Sequence, residues 1–448
     1  MKFKGTLFLL VVFLALLGYV LFFNKGEKKH KSSKLFHIKK SNIVEIKIKK
    51  GKNEVVLKKV NKRWDLEKPI ETSADYDKLQ EMERSLKKML YERVVDENCK
   101  DFKRYGLVGN NATEVAFKDA NGKEYKFFIG DKNPSGDYRY LRKKSDKRVY
   151  LVYGFDLEKF KPDVEFLRDK TLAYVNLTDM TDFSLKRNGE DFFFKKEHFN
   201  WYMKRPFYAR MDDEKIRDML KKVEFDKVYK NIDEKKDFSK FFKDPMISLV
   251  MNYENGDKSV LEISKKNPFK KYPDKYFGRN VETNRYFLLK KDVVEKLSTP
   301  LADLRSKDLV EFYPFEVSGI TLKNSESTLI LKKKDDSTWI LKVGDRQEDV
   351  KNDRVMDYLG KIRDMKVDGF IDPPLDLAKF GVENSGVSFI LDIKKDSRSS
   401  GLKLSFGNSN KNYVFVKNSL YPYLMKLKKE EFNKIFVKDD FFKKGGKK

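Results

Sequence analysis

The chain has 448 residues, with 97 Lys and Arg against 70 Asp and Glu and a net charge of +27. That length exceeds one ordinary core and calls for about three domains of ~150 residues, while 14% aromatic and 40% hydrophobic residues exclude a disordered polycation. Cys99 is the sole cysteine beside three His, so an internal disulfide and a dithiol redox site are excluded and a four-ligand zinc site is poorly supplied.

No charge interrupts the run from Gly5 to Phe23. At ~1.5 Å per residue it makes a helix of roughly 28 Å, one hydrocarbon thickness, and Val20 to Lys25 offers no small-residue cleavage site. The expectation is a transmembrane anchor over 1–24, then a solvated basic tether over 25–40. Lysines flank both ends of the run. Taken literally, the positive-inside rule keeps the remaining mass in the cytoplasm. Lys is abundant throughout, however, and an N-terminal signal-anchor most simply delivers that mass outside. The expected location is the cell membrane, single-pass, with the large domain extracytoplasmic.

The three Trp, at 64, 201 and 339, are spaced 137 and 138 residues apart. The offset recurs at Leu79, Ile216 and Val355; at Tyr105, Phe242 and Phe380; at Tyr138, Tyr276 and Tyr413; and at Tyr150, Tyr286 and Tyr423. A triplicated unit follows, with repeat domains at 41–175, 176–312 and 313–448. In each, alternation around turns such as Gly51-Lys52-Asn53 predicts a strand meander through the Trp. Asp75, Asp212 and Asp353 then cap runs of three- and four-residue apolar spacing, which predict an amphipathic helix. Hairpins about Asn121-Gly122, Asn255-Gly256 and Ser400-Gly401, two aromatic-rich strands and a closing helix near Leu157 to Leu167 complete the unit. The predicted fold class is α+β: an N-terminal transmembrane helix, then three tandem repeats of a mostly antiparallel sheet with helices packed on one face, stacked into an elongated body. The aromatic columns read as core.

The ordered set Trp64-x-Leu66 with Pro69, Tyr105-Gly106-Leu107, Gly130-Asp131, Tyr138-x-Tyr140 and Arg168-Asp169-Lys170 resembles the bacterial domain of unknown function 4340 family, most clearly over residues 43–172. Later copies depart from it: Phe242-Lys243-Asp244 and Arg305-Ser306-Lys307 in the second, Phe380-Gly381-Val382 and Lys438-Asp439-Asp440 in the third. The resemblance implies an N-terminal membrane helix, repeated copies of the domain, and a place beside ABC-transporter components of the gliding-motility type. It implies no catalytic residues.

Catalytic residue types form no constellation. His30 and His37 fall in the tether and His198 in a polar turn before Trp201, none beside a nucleophile elbow, which the chain lacks. Neither glycine-rich phosphate motif occurs, and 70 acidic residues guarantee chance carboxylate pairs without marking one. No catalytic, cofactor-binding or metal-binding residue is predicted, and no small-molecule substrate. The net charge points to anionic partners, with Lys265-Lys266-Asn267-Pro268-Phe269-Lys270-Lys271-Tyr272 and Lys332-Lys333-Lys334 as the basic stretches. Lys rather than Arg, spread over every copy, reads as solvated faces and does not favour nucleic acid, with attraction to envelope polymer or lipid headgroups as the functional alternative. Arg168, Asp169 and Lys170 end the first copy and Arg305 repeats the placement, which predicts an ion-pair clamp at the domain junction, with a docking patch as the alternative. The leading expectation is a non-enzymatic, membrane-anchored envelope protein that scaffolds or assists an ABC-type transport or motility complex, partnered by the lipid bilayer and an integral-membrane protein. A binding module for an anionic envelope polymer and a carboxylate-dependent hydrolase are the alternatives.

Overall fold

The computed structural model describes residues 12–15, 33–36, 38, 42–61, 63–234, 236–395 and 398–443. The chain forms two compact units, Met1–Lys170 and Thr171–Lys448. Three nine-stranded antiparallel sheets carry them, one in the first unit and two in the second. The strands of the first repeat are, in chain order, Ile43–Lys50, Asn53–Val60, Arg63–Lys68, Thr72–Ser73, Arg93–Asp96, Thr113–Asp119, Glu124–Lys132, Tyr138–Lys143 and Val149–Tyr153. Numbered one to nine, they lie in the order 4-3-2-1-6-7-8-9-5, and the other two repeats follow the same order. The first and sixth strands stitch two meanders together, pairing Ile46 with Phe117, Phe183 with Met251, and Ile320 with Leu391. The fifth strand, which follows the helix, crosses to the far edge and pairs with the ninth.

Alternation explains the strands. Ile46, Ile48, Val55, Leu57, Trp64 and Leu66 all point inward and are buried. The helix Tyr76–Lys88 lays Leu79, Met82 and Leu86 on that core, and Asp213–Phe225 and Asn352–Arg363 do the same with Ile216, Met219 and Leu220 and with Val355, Leu359 and Ile362. Asp75 caps its helix by accepting from the Lys78 N–H at 3.1 Å, and Asp212 accepts from Glu214 and Lys215. Asp353 does not cap. The third helix starts one residue earlier, at Asn352, whose side-chain oxygen is taken by the Trp339 indole.

The expected fold class needs correction. Strand outweighs helix 43% to 22%, so the protein is mostly antiparallel β rather than an even α+β mixture. Two strands per repeat, the fourth and fifth, are not predicted, and segments such as Thr72–Ser73 and Arg93–Asp96 are too short to show a period. The closing helix is broken into the single turns Gly154–Leu157 and Val164–Leu167, since Pro162 disfavours helical backbone at Lys161 and donates no N–H. The expected transmembrane helix is corrected as well: among the described residues no helix is long and apolar enough to cross a membrane. Of segment 1–24 only residues 12–15 are described; the rest lies outside the described residues. The solvated tether does not extend through residues 33–36. Ser33–Lys34 pairs with Leu90–Tyr91, and Phe36 is buried edge-on against Phe117 at 5.6 Å between ring centres.

The three Trp occupy equivalent third strands, Arg63–Lys68, Asn200–Arg205 and Thr338–Val343, and all are buried. Two tyrosine columns are not in register. Leu141, Gly278 and Val416 hold one place in the ladder, opposite Ile129, Ile263 and Phe406 on one side and Tyr150, Phe287 and Met425 on the other. Counting back, Tyr138 and Tyr413 are equivalent while Tyr276 lies one residue further along, and Tyr286 and Tyr423 miss the place of Tyr150 by one and two. The eighth strand's pairing with the seventh shifts register between Arg139 and Leu141 in the first repeat and between Phe406 and Ser409 in the third, and one step along a strand reverses the face a side chain meets.

Equivalent tryptophans differ in one bond. Trp339 Nε1 donates to Asn352 Oδ1 at 2.9 Å, whereas buried Trp64 Nε1 has no acceptor among the described residues. Trp339→Phe strands the Asn352 oxygen, and Trp64→Phe removes an unsatisfied donor. The first is expected to cost about 1–2 kcal/mol more than the second, read as the difference in urea denaturation followed by circular dichroism.

Beside Trp64, Lys59 places its ammonium 5.6 Å from the indole centre and 2.8 Å from Glu83, which also pairs with Lys87 at 2.7 Å. Burial works to raise the Glu83 carboxyl, and the two lysines outweigh it, so the group titrates below its ordinary value. A depressed carboxyl contributes stability that is present above its unfolded value, about 4.3, and is lost as pH falls through the folded one. Glu83→Gln is therefore expected to lower Tm at neutral pH, with the gap to the parent closing below about pH 4.3.

Candidate functional site

Within the second unit, Arg305 follows the helical turn Leu301–Leu304 and bridges to Met211 through the backbone. Its guanidinium is fully buried, 3.6 Å from the ring centre of Phe370 and 3.8 Å from that of Tyr423, with Phe207 at 5.5 Å. Nη1 pairs with Asp372 at 2.5 Å. Phe207 belongs to the second repeat, and Phe370, Asp372 and Tyr423 to the third. Nε and Nη2 meet no acceptor among the described residues, so the negative faces of two rings stand where oxygens would.

The cage continues as an aromatic ladder. Tyr423 stacks on Tyr421 at 5.1 Å, Tyr421 meets Tyr208 at 6.0 Å, and Tyr208 stacks on Tyr202 at 5.5 Å. Lys204 closes it over Tyr208 at 4.4 Å. Burial pushes the Tyr423 phenol up to about 12 although the Arg305 charge opposes it, which keeps the ring neutral. Past Arg305 the chain is pinned to the third repeat. The Leu309 N–H donates to Met365 at 3.1 Å, the Val367 N–H donates to Lys307 at 2.8 Å, and Asn418 Nδ2 donates to the Leu309 carbonyl at 3.3 Å. Asn280 makes the matching bond to Leu172, also at 3.3 Å. The fully buried guanidinium itself offers no surface to a docking partner, and the arrangement couples two repeats.

In the first unit Arg168 is buried, bridges Ala74 through the backbone as Arg305 bridges Met211, and pairs with Glu165 at 2.8 Å. The Asp169 N–H donates to Ser73 at 2.8 Å, and Lys170 approaches Glu165 at 3.6 Å.

The first two sheets each carry a smaller apolar patch under a 3-10 turn that ends in Tyr105 or Phe242, and in the third the turn ending in Phe380 meets Phe415 at 5.0 Å. In the first repeat a Cβ on Gly130 would sit 2.1 Å from the Tyr105 carbonyl, and one on Gly106, at φ +66°, would meet the Asp131 carboxylate at 2.4 Å. Tyr105-Gly106-Leu107 and Gly130-Asp131 are thus two halves of one contact. The third repeat builds it again from Gly381 and Gly407, where a Cβ on Gly407 would sit 2.0 Å from the Phe380 carbonyl. The second repeat has Lys243 and Ser264 at those places. Its patch is larger, with Phe238, Phe242, Phe277 and Leu288 buried and Phe269 and Tyr272 laid against them. Lys230 donates to the Tyr272 hydroxyl at 3.1 Å and holds that phenol below its ordinary value.

Tyr138, Tyr276 and Tyr413 each open an eighth strand and are half-buried. Cys99 is buried in the first repeat's smaller patch, and burial pushes its thiol up. His198 is an exposed turn residue at φ +56°, while His30 and His37 lie outside the described residues. Sequence reasoning missed Phe370, Asp372, Tyr421 and Asn418. Only Asn418 left a signal, being 138 residues after Asn280.

A family model described as domain of unknown function (DUF4340) matches residues 64–240 and, overlapping, 201–385. The two matches begin on Trp64 and Trp201, 137 residues apart, so the match restarts at the third strand of the second repeat. No curated protein and no solved structure matches the chain.

Proposed function

The chain belongs to the family described as domain of unknown function DUF4340, and from that premise we propose a non-enzymatic scaffold of the cell envelope, held at a membrane and auxiliary to an integral-membrane complex of ABC-type transport or motility. The observation that carries the scaffold is the Arg305 cage. A cation enclosed between rings of two repeats makes them one body, which suits a spacer that presents surfaces at fixed separation. Membrane association rests on the uncharged run Gly5 to Phe23, and the transporter link on the resemblance carried by the five ordered motifs.

Affinity purification of the full chain from detergent-solubilised membranes tests this reading. The expected result is one integral-membrane protein recovered in constant ratio with the chain. Recovery of none above an unrelated bait overturns it.

A further inference from the structure

The second repeat departs from its siblings at one loop. Between its seventh and eighth strands, Lys258–Ile263 and Tyr276–Asn280, lie twelve residues, 264–275, where the first repeat has five and the third has three. They read Ser-Lys-Lys-Asn-Pro-Phe-Lys-Lys-Tyr-Pro-Asp-Lys, five lysines to one acid. The loop is firmly built. Asn267 Nδ2 donates to the carbonyls of Tyr272 and Lys275, both at 2.8 Å, its Oδ1 accepts from the Phe269 N–H at 2.9 Å, and the Phe269 ring meets Phe277 at 5.4 Å. A scaffold held this way presents its charges with the ordering cost already met.

Two of its five lysines are spent, Lys265 on Asp244 and Lys275 on Asp274, and three are not. Lys266, Lys270 and Lys271 are exposed and make no ion pair among the described residues, whereas in the other basic stretch Lys333 pairs with Asp336 at 3.1 Å and Lys334 with Asp349 at 2.8 Å. The same loop lies where the second repeat lacks the glycine contact that pins the turn in its siblings.

We propose that this loop is a binding surface for a linear polyol-phosphate polymer. Lysine ammoniums are compact point charges that meet phosphodiesters singly, without the fork geometry of Arg. The nearby Tyr229 and Tyr272 rings meet edge to face at 5.8 Å, with Lys275 4.7 Å from the first ring centre and Lys230 5.1 Å from the second. That geometry gives no parallel platform for successive nucleobases. The exposed positions of the loop carry no large apolar side chain to enter a bilayer.

The full chain in detergent, titrated with labelled poly(glycerol phosphate) at rising sodium chloride, provides the test. Lys266→Ser, Lys270→Ser and Lys271→Ser together are expected to weaken binding about tenfold or more and to flatten the salt dependence by about three charges. Lys332→Ser, Lys333→Ser and Lys334→Ser, an equal loss of charge, are expected to change it less than about twofold. Circular dichroism and thermal melting verify that both variants fold. Equal losses in the two variants would reduce the effect to net charge and overturn the proposal. So would absence of saturable binding, or tighter binding, lost with the same three lysines, to single-stranded DNA or to phosphatidylglycerol vesicles.

Discussion

Arg305→Ala is expected to destabilise the second unit by about 3–5 kcal/mol, the range of truncating a large, fully packed core side chain to Ala. Three losses combine: the stacking of the guanidinium on Phe370 and Tyr423, the pair with Asp372, and a cavity between repeats that only partial collapse can fill. Because the Asp372 side chain is 40% exposed, solvent screens the ion pair, and most of the effect belongs to the rings. Arg305→Lys therefore recovers little, since an ammonium cannot lie flat between two faces, and Asp372→Asn costs clearly less than Arg305→Ala. Urea denaturation ranks the three variants, and hydrogen exchange places the loss in residues 305–310 and 369–371. A change below about 1 kcal/mol for Arg305→Ala would mean that the cage does not couple the repeats.

Gly130→Ala and Gly407→Ala form the second large effect, about 3 kcal/mol each. Neither glycine is needed for a left-handed φ; both are needed for space. An added Cβ lands 2.1 Å from the Tyr105 carbonyl or 2.0 Å from the Phe380 carbonyl, and backbone cannot swing aside as a side chain can. Ser264 occupies the equivalent place in the second repeat and already carries a Cβ, so Ser264→Ala loses only the acceptor of the Lys266 N–H and is expected to cost less than about 1 kcal/mol. Thermal melts of the three variants check the contrast. Equal shifts would show that the three turns are not seated differently.

These cases show where the sequence was legible. The Trp spacing located equivalent strands because a large buried ring tolerates little drift, and the three long helices were visible because twelve or thirteen residues span several turns of a 3.6 period. Short edge strands had no period to read. The tyrosine columns slipped because a fixed offset does not distinguish a residue from its neighbour on the same strand, whose side chain meets the opposite face. Arg305 was singled out by its 137-residue offset from Arg168, yet its partners stood 67 and 118 positions away, and nothing local announces a stacking face. Gly130 and Tyr105 were noted as separate motifs, and only coordinates join them. The basic stretch 265–272 was visible as composition, but which of its lysines are neutralised depends on acids brought near by folding.

In the third repeat the fourth strand is six residues long, Arg346–Lys351, where its siblings have two. It forms the rim of its sheet and exposes Arg346, Gln347, Glu348 and Asp349 in succession, with Lys443 from the final helical turn reaching Glu348 at 2.5 Å. Charged and polar side chains in succession along such a rim would have to shed their water to admit an incoming strand. The longest free rim of the three is thereby a poor seed for self-association, and concentrated preparations are expected to resist fibrillar growth from that side.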